Sequence, residues 1–172
     1  PAIEDGFYYD FDLEDTISAD DLEEIQEEMG RIGAEELPFE RTEMPKNEAR
    51  SLFEERGQTY KVELLDGLEE DVVTLYKTGD FLDLCRGPHV PHTGMMPAFK
   101  LLNVAGAYWK GSEENPQLQR VYAAAFATEK ELDKYMERRE EAEKRDHRKI
   151  GKQLDLFSMD EEIGQGLILW HP

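Results

Sequence analysis

The sequence predicts an α+β fold in which helices pack on an antiparallel sheet. Aromatic and β-branched stretches bounded by turn residues alternate with segments whose apolar residues recur at helical spacing. A Lys-Thr-Gly-Asp turn at 77–80 also joins two apolar stretches, which is the pattern of an antiparallel hairpin. With 172 residues, the chain is long enough to bury a core as one domain with an appendage.

The first third of the chain alternates predicted strands and helices. Ser18 and Asp21 form a candidate capping box, and the apolar residues that follow recur at helical spacing. Gly57 is the predicted stop of a second, shorter helix. In order, the predicted elements are a strand over 6–12, a helix over 19–33, a strand over 38–44 and a helix over 46–56.

The remainder is predicted to be mostly strands, followed by one long helix. Residues 59–68 fit either the helical or the strand period, and both assignments stay open. The helix from Thr128 to Gly151 or Leu156 is polar on nearly all sides, and such helices usually bridge domains. The predicted strands cover 72–76, 81–84, 99–109 and 118–127, and a last apolar strand lies within 166–172.

Charge and composition limit the function classes. Forty acidic residues against twenty basic ones give a net charge of −20, which argues against a nucleic-acid partner, although adaptation to high salt would give the same surface. The exception is 138–152, where seven basic residues face four acidic ones. One cysteine excludes an internal disulfide and suits a reducing cytosol, so a cytoplasmic protein is expected. No apolar run approaches the roughly 20 residues of a membrane span, so no membrane partner is expected.

The only cysteine, Cys85, lies four residues before His89, across a Gly-Pro turn that must aim both side chains. A thiolate and an imidazole could be two zinc ligands or a polar pair that positions a water molecule. His92 is a candidate third ligand, but Pro91 constrains it. From the spacing alone, a buried core cysteine and a histidine that caps the turn through a backbone bond is the favoured interpretation.

Two further polar residues are candidates for the same site. Asp83 lies two residues before Cys85 and therefore on the same strand face, where it could orient a histidine or simply be an edge carboxylate. Lys61 stands between apolar neighbours, the pattern of a lysine whose stem is buried and whose charge reaches solvent.

Four motifs resemble bacterial threonyl-tRNA synthetases in their order and approximate spacing. They are Gly6-Phe-Tyr-Tyr-Asp, Asp83-Leu-Cys-Arg-Gly-Pro-His-Val, Gly106-Ala-Tyr-Trp-Lys-Gly and Lys144-Arg-Asp-His-Arg-Lys-Ile-Gly-Lys-Gln-Leu-Asp-Leu-Phe. The resemblance covers nearly the whole chain and implies a fragment with a fold of the threonyl/alanyl editing-domain type. Its implied parts are an editing domain over 1–128 that lacks its N-terminal portion, an exposed linker helix over 129–157 and the start of a class II catalytic domain over 158–172.

The resemblance implies hydrolysis of serine wrongly esterified to tRNA(Thr). Its Cys-x3-His pair falls on Cys85 and His89, its aspartate on Asp83 and its lysine on Lys61. The family's His-x3-His pair belongs upstream of Gly6, and these 172 residues do not contain it. The resemblance therefore implies that these residues form half of an editing site and that its hydrolytic activity is impaired.

The resemblance also implies cofactors and partners. No cofactor is expected in this segment, because ATP, Mg and the catalytic Zn belong to the synthetic domain; Cys85 and His89 would bind metal only if a zinc site existed here. The expected partners are the tRNA(Thr) acceptor end and the remainder of the synthetase, a homodimer. The basic segment within 138–152 is the expected tRNA contact, through Arg145, Arg148 and Lys149. The alternative is a non-catalytic module that spaces the editing and synthetic sites and docks tRNA; a stand-alone trans-editing protein is disfavoured by the linker helix.

Overall fold

A computed structural model describes residues 1–145, 150–151, 154–159 and 168–171, with no side-chain description for 157–159 and 168–170. None of the helices within these ranges is both long and apolar enough to cross a membrane. The elements are β1 (Ala2–Ile3), β2 (Gly6–Phe11), α1 (Ala19–Ala34), β3 (Glu40–Pro45), α2 (Lys46–Glu55), α3 (Thr59–Asp66), β4 (Val72–Thr78), β5 (Phe81–Leu84), β6 (Ala98–Tyr108), β7 (Gln117–Phe126), α4 (Glu129–Lys144), β8 (Phe157–Met159) and β9 (Ile168–Trp170).

The strands form antiparallel sheets, which confirms the α+β prediction. One sheet has the order β1-β2-β7-β6, a second has the order β3-β4-β5, and β8 pairs with β9. The predicted hairpin is present, with Thr78 opposite Phe81 across the turn. Its short turn brings the end of β5, and therefore Cys85, next to β4.

Two separate apolar cores support the two larger sheets. In the first, helices α2 and α3 pack on β4, and Phe53, Leu65 and Leu75 are completely buried. Complete burial of each such side chain contributes about 1.5–3 kcal/mol. The second core lies on the four-stranded sheet around Leu101 and Val121, with apolar residues of α1 packed against it.

Helix α1 begins as its capping box predicts. The Asp21 backbone N–H donates to the Ser18 side chain at 3.1 Å, and the Ser18 backbone N–H donates to the Asp21 carboxylate at 2.7 Å. The bond from the Ser18 backbone lowers the pKa of Asp21 below its ordinary value. The reciprocal bonds satisfy two backbone donors that a helix start otherwise leaves unpaired.

The open assignment over 59–68 is settled as helix α3. Its Leu65 is buried and Val62 packs on the first core. Strands β1 and β8 were not predicted, because two or three residues are too short to show a period.

Helix α4 is exposed along most of its length, as expected from its polar sequence. Leu132 is buried and Tyr135 packs on Phe126, with ring centroids 5.1 Å apart. The helix ends at Lys144, earlier than predicted, and the Arg145 backbone N–H closes it on the Glu141 carbonyl. Of the rest of the predicted helix, Ile150 and Gly151 are helical, and 146–149 and 152–153 lie outside the described residues.

Candidate functional site

The four residues predicted for the site line one cleft. Lys61, Asp83, Cys85 and His89 all border a cavity of about 830 Å³. The cleft also has an aromatic lining that the sequence did not reveal, formed by Tyr9, Phe39, Tyr60, Tyr76, Phe81 and Trp109.

Cys85 and His89 are in direct contact. The His89 Nε2 lies 3.2 Å from the Cys85 Sγ, and the Gly87 backbone N–H donates to the same sulfur at 3.4 Å. The turn between them depends on Gly87, which has a φ of +71°. The Cys85 sulfur, rather than the His89 imidazole, therefore accepts the backbone bond of the turn. The alternative prediction, in which His89 caps the turn, is wrong.

Asp83 is the centre of a polar network that reaches Lys61 but not a histidine. Its Oδ1 forms an ion pair with Lys61 Nζ and accepts the Leu84 backbone N–H at 2.7 Å, while its Oδ2 accepts the Tyr9 hydroxyl at 2.9 Å. The expectation that Asp83 orients a histidine is thus corrected: its carboxylate orients Lys61. The physical reason is that the Lys61 side chain extends from α3 into the cleft, where only 16% of it is exposed.

Tyr9 is a hydrogen-bond donor in this network. Burial, followed by the negative charge of Asp83, raises the pKa of Tyr9 well above its ordinary value of 10.0. The phenol therefore stays protonated and donates a hydrogen bond to the carboxylate. The aromatic strand motif around Tyr9 gives no indication of a partner 74 residues away.

Helix α3 is tied to the four-stranded sheet on both sides of Lys61. The Tyr60 hydroxyl donates to Asp12 at 2.7 Å, and the Trp109 indole N–H donates to Glu63 at 2.8 Å. The Tyr60 and Trp109 rings also meet edge to face, with centroids 4.9 Å apart. These contacts place Lys61 between the two cores.

The loop that carries His89 is anchored by Thr93, which is 2% exposed. The Thr93 hydroxyl donates to the Ile32 carbonyl at 2.8 Å and accepts the Leu37 backbone N–H at 2.9 Å. The Thr93 backbone N–H in turn donates to the Leu37 carbonyl at 2.9 Å. Sequence reasoning missed this residue, because a single threonine after a histidine carries no pattern.

The donor set for a metal is incomplete in the described part of the chain. Cys85 and His89 are two suitable ligands, whereas a structural zinc ion takes four. His92 pairs with Pro38 through an isolated β-bridge and does not line the cleft. Across the described ranges, no three His, Cys, Asp or Glu side chains converge in an arrangement that could hold a metal.

The predicted RNA contacts are only partly described. Arg145 lies at the end of α4, where its guanidinium bonds to Glu141 at 2.5 Å and most of its side chain is exposed. Arg148 and Lys149 lie outside the described residues. The RNA-binding role of all three stays a prediction.

Part of the chain matches a known family. Residues 73–122, which include β4 except its first residue, β5 and the Cys85–His89 turn, match the family described as "Threonyl and Alanyl tRNA synthetase second additional domain". Over all 172 residues, the chain is 59% identical to the threonine--tRNA ligase of Oleidesulfovibrio alaskensis, 55% identical to that of Nitratidesulfovibrio vulgaris strain DP4 and 54% identical to that of Citrifermentans bemidjiense. It spans 27% of the length of each of these curated relatives. The chain therefore corresponds over its whole length to a segment of bacterial threonine--tRNA ligases, and this segment includes the second additional domain.

Proposed function

We propose that this segment edits aminoacyl-tRNA by hydrolysing serine from mischarged tRNA(Thr). The observation that carries the proposal is that Cys85–His89 and Lys61–Asp83, two polar pairs from different elements, border one cleft. The cavity of about 830 Å³ is within the usual range of small-molecule sites, about 300–1,000 Å³. An aminoacylated terminal nucleoside is a ligand of suitable size.

The two pairs suit the hydrolysis of an ester. Attack of water on the ester carbonyl needs a proton acceptor and a donor or cation near the oxygen that becomes negative. His89, held against Cys85, is a candidate for positioning the water molecule. Lys61, held by Asp83, is a candidate for stabilising the oxyanion. The family's His-x3-His pair would supply the rest of the site.

A separate hydrolytic site has a clear physical purpose. Serine and threonine differ by one methyl group, and a pocket that accepts threonine also admits the smaller serine, against which the missing group gives only about 1–3 kcal/mol of discrimination. We propose that the editing cleft acts as a second sieve, which admits serine and excludes threonine.

The proposal extends to the whole protein. By analogy with its relatives, we infer a cytoplasmic homodimer that joins threonine to tRNA(Thr) with ATP. We assign editing to 1–128, a linker to 129–157 and the start of the synthetic domain to 158–172. In this arrangement ATP, Mg and the catalytic Zn bind outside the segment, and the tRNA acceptor end moves between the two sites.

The test is a single-turnover assay of serine release from mischarged tRNA(Thr), using a longer chain that includes the upstream His-x3-His segment. His89→Ala should slow release by about 10²–10⁴-fold, the usual effect of losing a group that acts in proton transfer. His92→Ala is the matched control, since His92 lies in the same loop but not in the cleft, and it should keep most of the activity. Equal activity of His89→Ala and the unmodified chain would contradict the proposal. Inactivity of every variant would favour the non-catalytic spacer.

A further inference from the structure

The His89 imidazole packs against two aromatic rings that the chemistry described above does not use. The Phe39 ring is stacked on it, with centroids 5.1 Å apart and planes inclined by 28°. The Tyr76 ring lies nearer, with centroids 4.1 Å apart and planes inclined by 45°. Both distances fall in or close to the range of attractive ring contacts.

Both rings are themselves held in place. Tyr76 belongs to β4 and is only 8% exposed. It lies directly beneath the turn, because a Cβ added to Gly87 would come within 2.1 Å of the Tyr76 hydroxyl oxygen. The Phe39 backbone N–H donates to the Pro91 carbonyl at 3.0 Å, and Pro38 pairs with His92. The ring of Phe39 is thus connected by backbone bonds to the loop that carries His89.

This support matters because His89 is otherwise exposed. An exposed side chain ordinarily samples several rotamers, and fixing one of them costs conformational entropy. The two ring contacts restrict the imidazole before any substrate arrives. The restricted position is the one in which Nε2 meets the Cys85 sulfur at 3.2 Å.

We infer that Phe39 and Tyr76 are positioning residues that hold the His89 imidazole on Cys85 in the working orientation. The catalytic part of this inference rests on the proposed function, whereas its geometric part does not. Neither aromatic residue touches the reacting atoms in this account, and each acts through His89. Aromatic character, rather than apolar bulk alone, is what position 39 requires.

The geometric part is tested on the 172-residue chain through its single cysteine, using the alkylation rate with iodoacetamide. The His89 Nε2 lies 3.2 Å from the Cys85 sulfur, where it can accept the proton that the thiol loses as the sulfur attacks iodoacetamide, so His89→Ala should slow alkylation. We expect a factor of about 3–10, the equivalent of one net hydrogen bond. Phe39→Leu should slow alkylation nearly as much, while Phe39→Tyr, which keeps the ring, should react like the unmodified chain.

The matched control is Phe126→Leu, since Phe126 makes a ring contact of the same 5.1 Å with Tyr135, away from the cleft. It should leave the alkylation rate unchanged. Nuclear Overhauser contacts from the His89 ring protons to those of Phe39 and Tyr76 in the unmodified chain test the same geometry without any substitution. Absence of either contact, an unchanged rate in Phe39→Leu or an unchanged rate in His89→Ala would each overturn the inference.

The catalytic part is tested in the longer chain by measuring single-turnover serine release at increasing protein concentrations. This separates the saturating rate from the concentration that gives half-saturation. Phe39→Leu should lower the saturating rate and leave half-saturation nearly unchanged, and Phe39→Tyr should restore the rate. A change confined to half-saturation would overturn the positioning role. If the unmodified longer chain does not release serine, the proposed function fails, while the alkylation and Overhauser results still decide whether the rings hold His89.

Discussion

At the residue scale, the site depends on one carboxylate that serves several partners. Asp83 accepts hydrogen bonds from the Tyr9 hydroxyl of β2, the Lys61 ammonium of α3 and a backbone N–H of its own strand. Charge-assisted bonds of this kind are stronger than neutral ones. Removing the carboxylate's charge should therefore affect both side-chain partners.

The first prediction is that Asp83→Asn lowers the pKa of Tyr9. The fall should be partial, because burial is the largest cause of the raised value and remains in the variant. Absorbance titration of the phenolates measures it. The matched control is Asp12→Asn, which should lower the raised pKa of Tyr60, whose main cause is its bond to Asp12, and leave Tyr9 unaffected. A Tyr9 titration identical in Asp83→Asn and the unmodified chain would contradict the network.

The same raised pKa predicts how stability depends on pH. Tyr9 in the unfolded chain ionises near pH 10, whereas in the folded chain it keeps its proton to a higher pH. The folded state then binds more protons, so the contribution of Tyr9 to the free energy of unfolding is complete below about pH 10 and is lost as pH rises towards the folded pKa. Urea unfolding across this range should show a steeper decline for the unmodified chain than for Tyr9→Phe, which has no proton to lose.

At the element scale, the position of the Cys85–His89 turn depends on a loop anchored by a buried hydroxyl. Thr93 connects the end of α1 to the segment after His89 through one donated and one accepted bond. Valine has nearly the same shape but cannot form either bond, so the Ile32 carbonyl and the Leu37 N–H would lose a buried partner.

We predict that Thr93→Val lowers the free energy of unfolding by about 1–3 kcal/mol, the usual cost of leaving buried polar groups unpaired. Thr93→Ser keeps the hydroxyl and should cost clearly less. Urea unfolding of both variants measures the difference. Equal stability of the valine and serine variants would contradict the claim that the hydroxyl is the main anchor of the loop.

The elements themselves were largely predictable, because their signals are local. The Ser18–Asp21 capping box and the 77–80 turn each act within a few residues, and both are confirmed. Helix α3 was ambiguous because its apolar residues fit two periods, and only packing of Val62 and Leu65 on the first core decides between them. The sequence predicts a helix that continues beyond Lys144, where α4 ends, because a polar helix has no apolar stripe whose end marks its boundary.

The site was predictable only through resemblance, and only in part. Cys85 and His89 are near in sequence, but Lys61 and Asp83 are 22 residues apart and belong to elements whose packing no local pattern specifies. The rings of Phe39 and Tyr76 look like ordinary core or strand residues in the sequence. Their contact with His89 is a consequence of sheet pairing between β3 and β4 and of the turn above them.

At the scale of the whole molecule, a net charge of −20 must be reconciled with the RNA substrate that we propose. The basic residues at the end of α4 are the proposed contact, although Lys144 and Arg145 are each paired with a glutamate one turn earlier. Exposed pairs of this kind are weak and can exchange partners, so they do not prevent phosphate binding.

We predict that tRNA binds weakly through this segment and with a shallow salt dependence. Three phosphate contacts correspond to a slope of about 2–3 in the logarithm of affinity against the logarithm of salt concentration. Replacing Arg145, Arg148 and Lys149 together by alanine should weaken binding and flatten the slope. The matched control replaces Arg31, Arg41 and Arg50, which changes the net charge equally elsewhere and should have a smaller effect. Equal effects of the two triple variants would mean that only net charge matters.

The central claim is that residues 1–172 hold half of an editing site whose other half is a His-x3-His pair. The most direct measurement compares single-turnover serine release from mischarged tRNA(Thr) by the 172-residue chain and by a chain extended to include that pair. We predict that the extended chain releases serine at least about 10²–10⁴-fold faster, the effect of supplying a missing general base, while it leaves Thr-tRNA largely intact. Equal rates for the two chains would contradict the account, because catalysis would then lie wholly within the 172 residues.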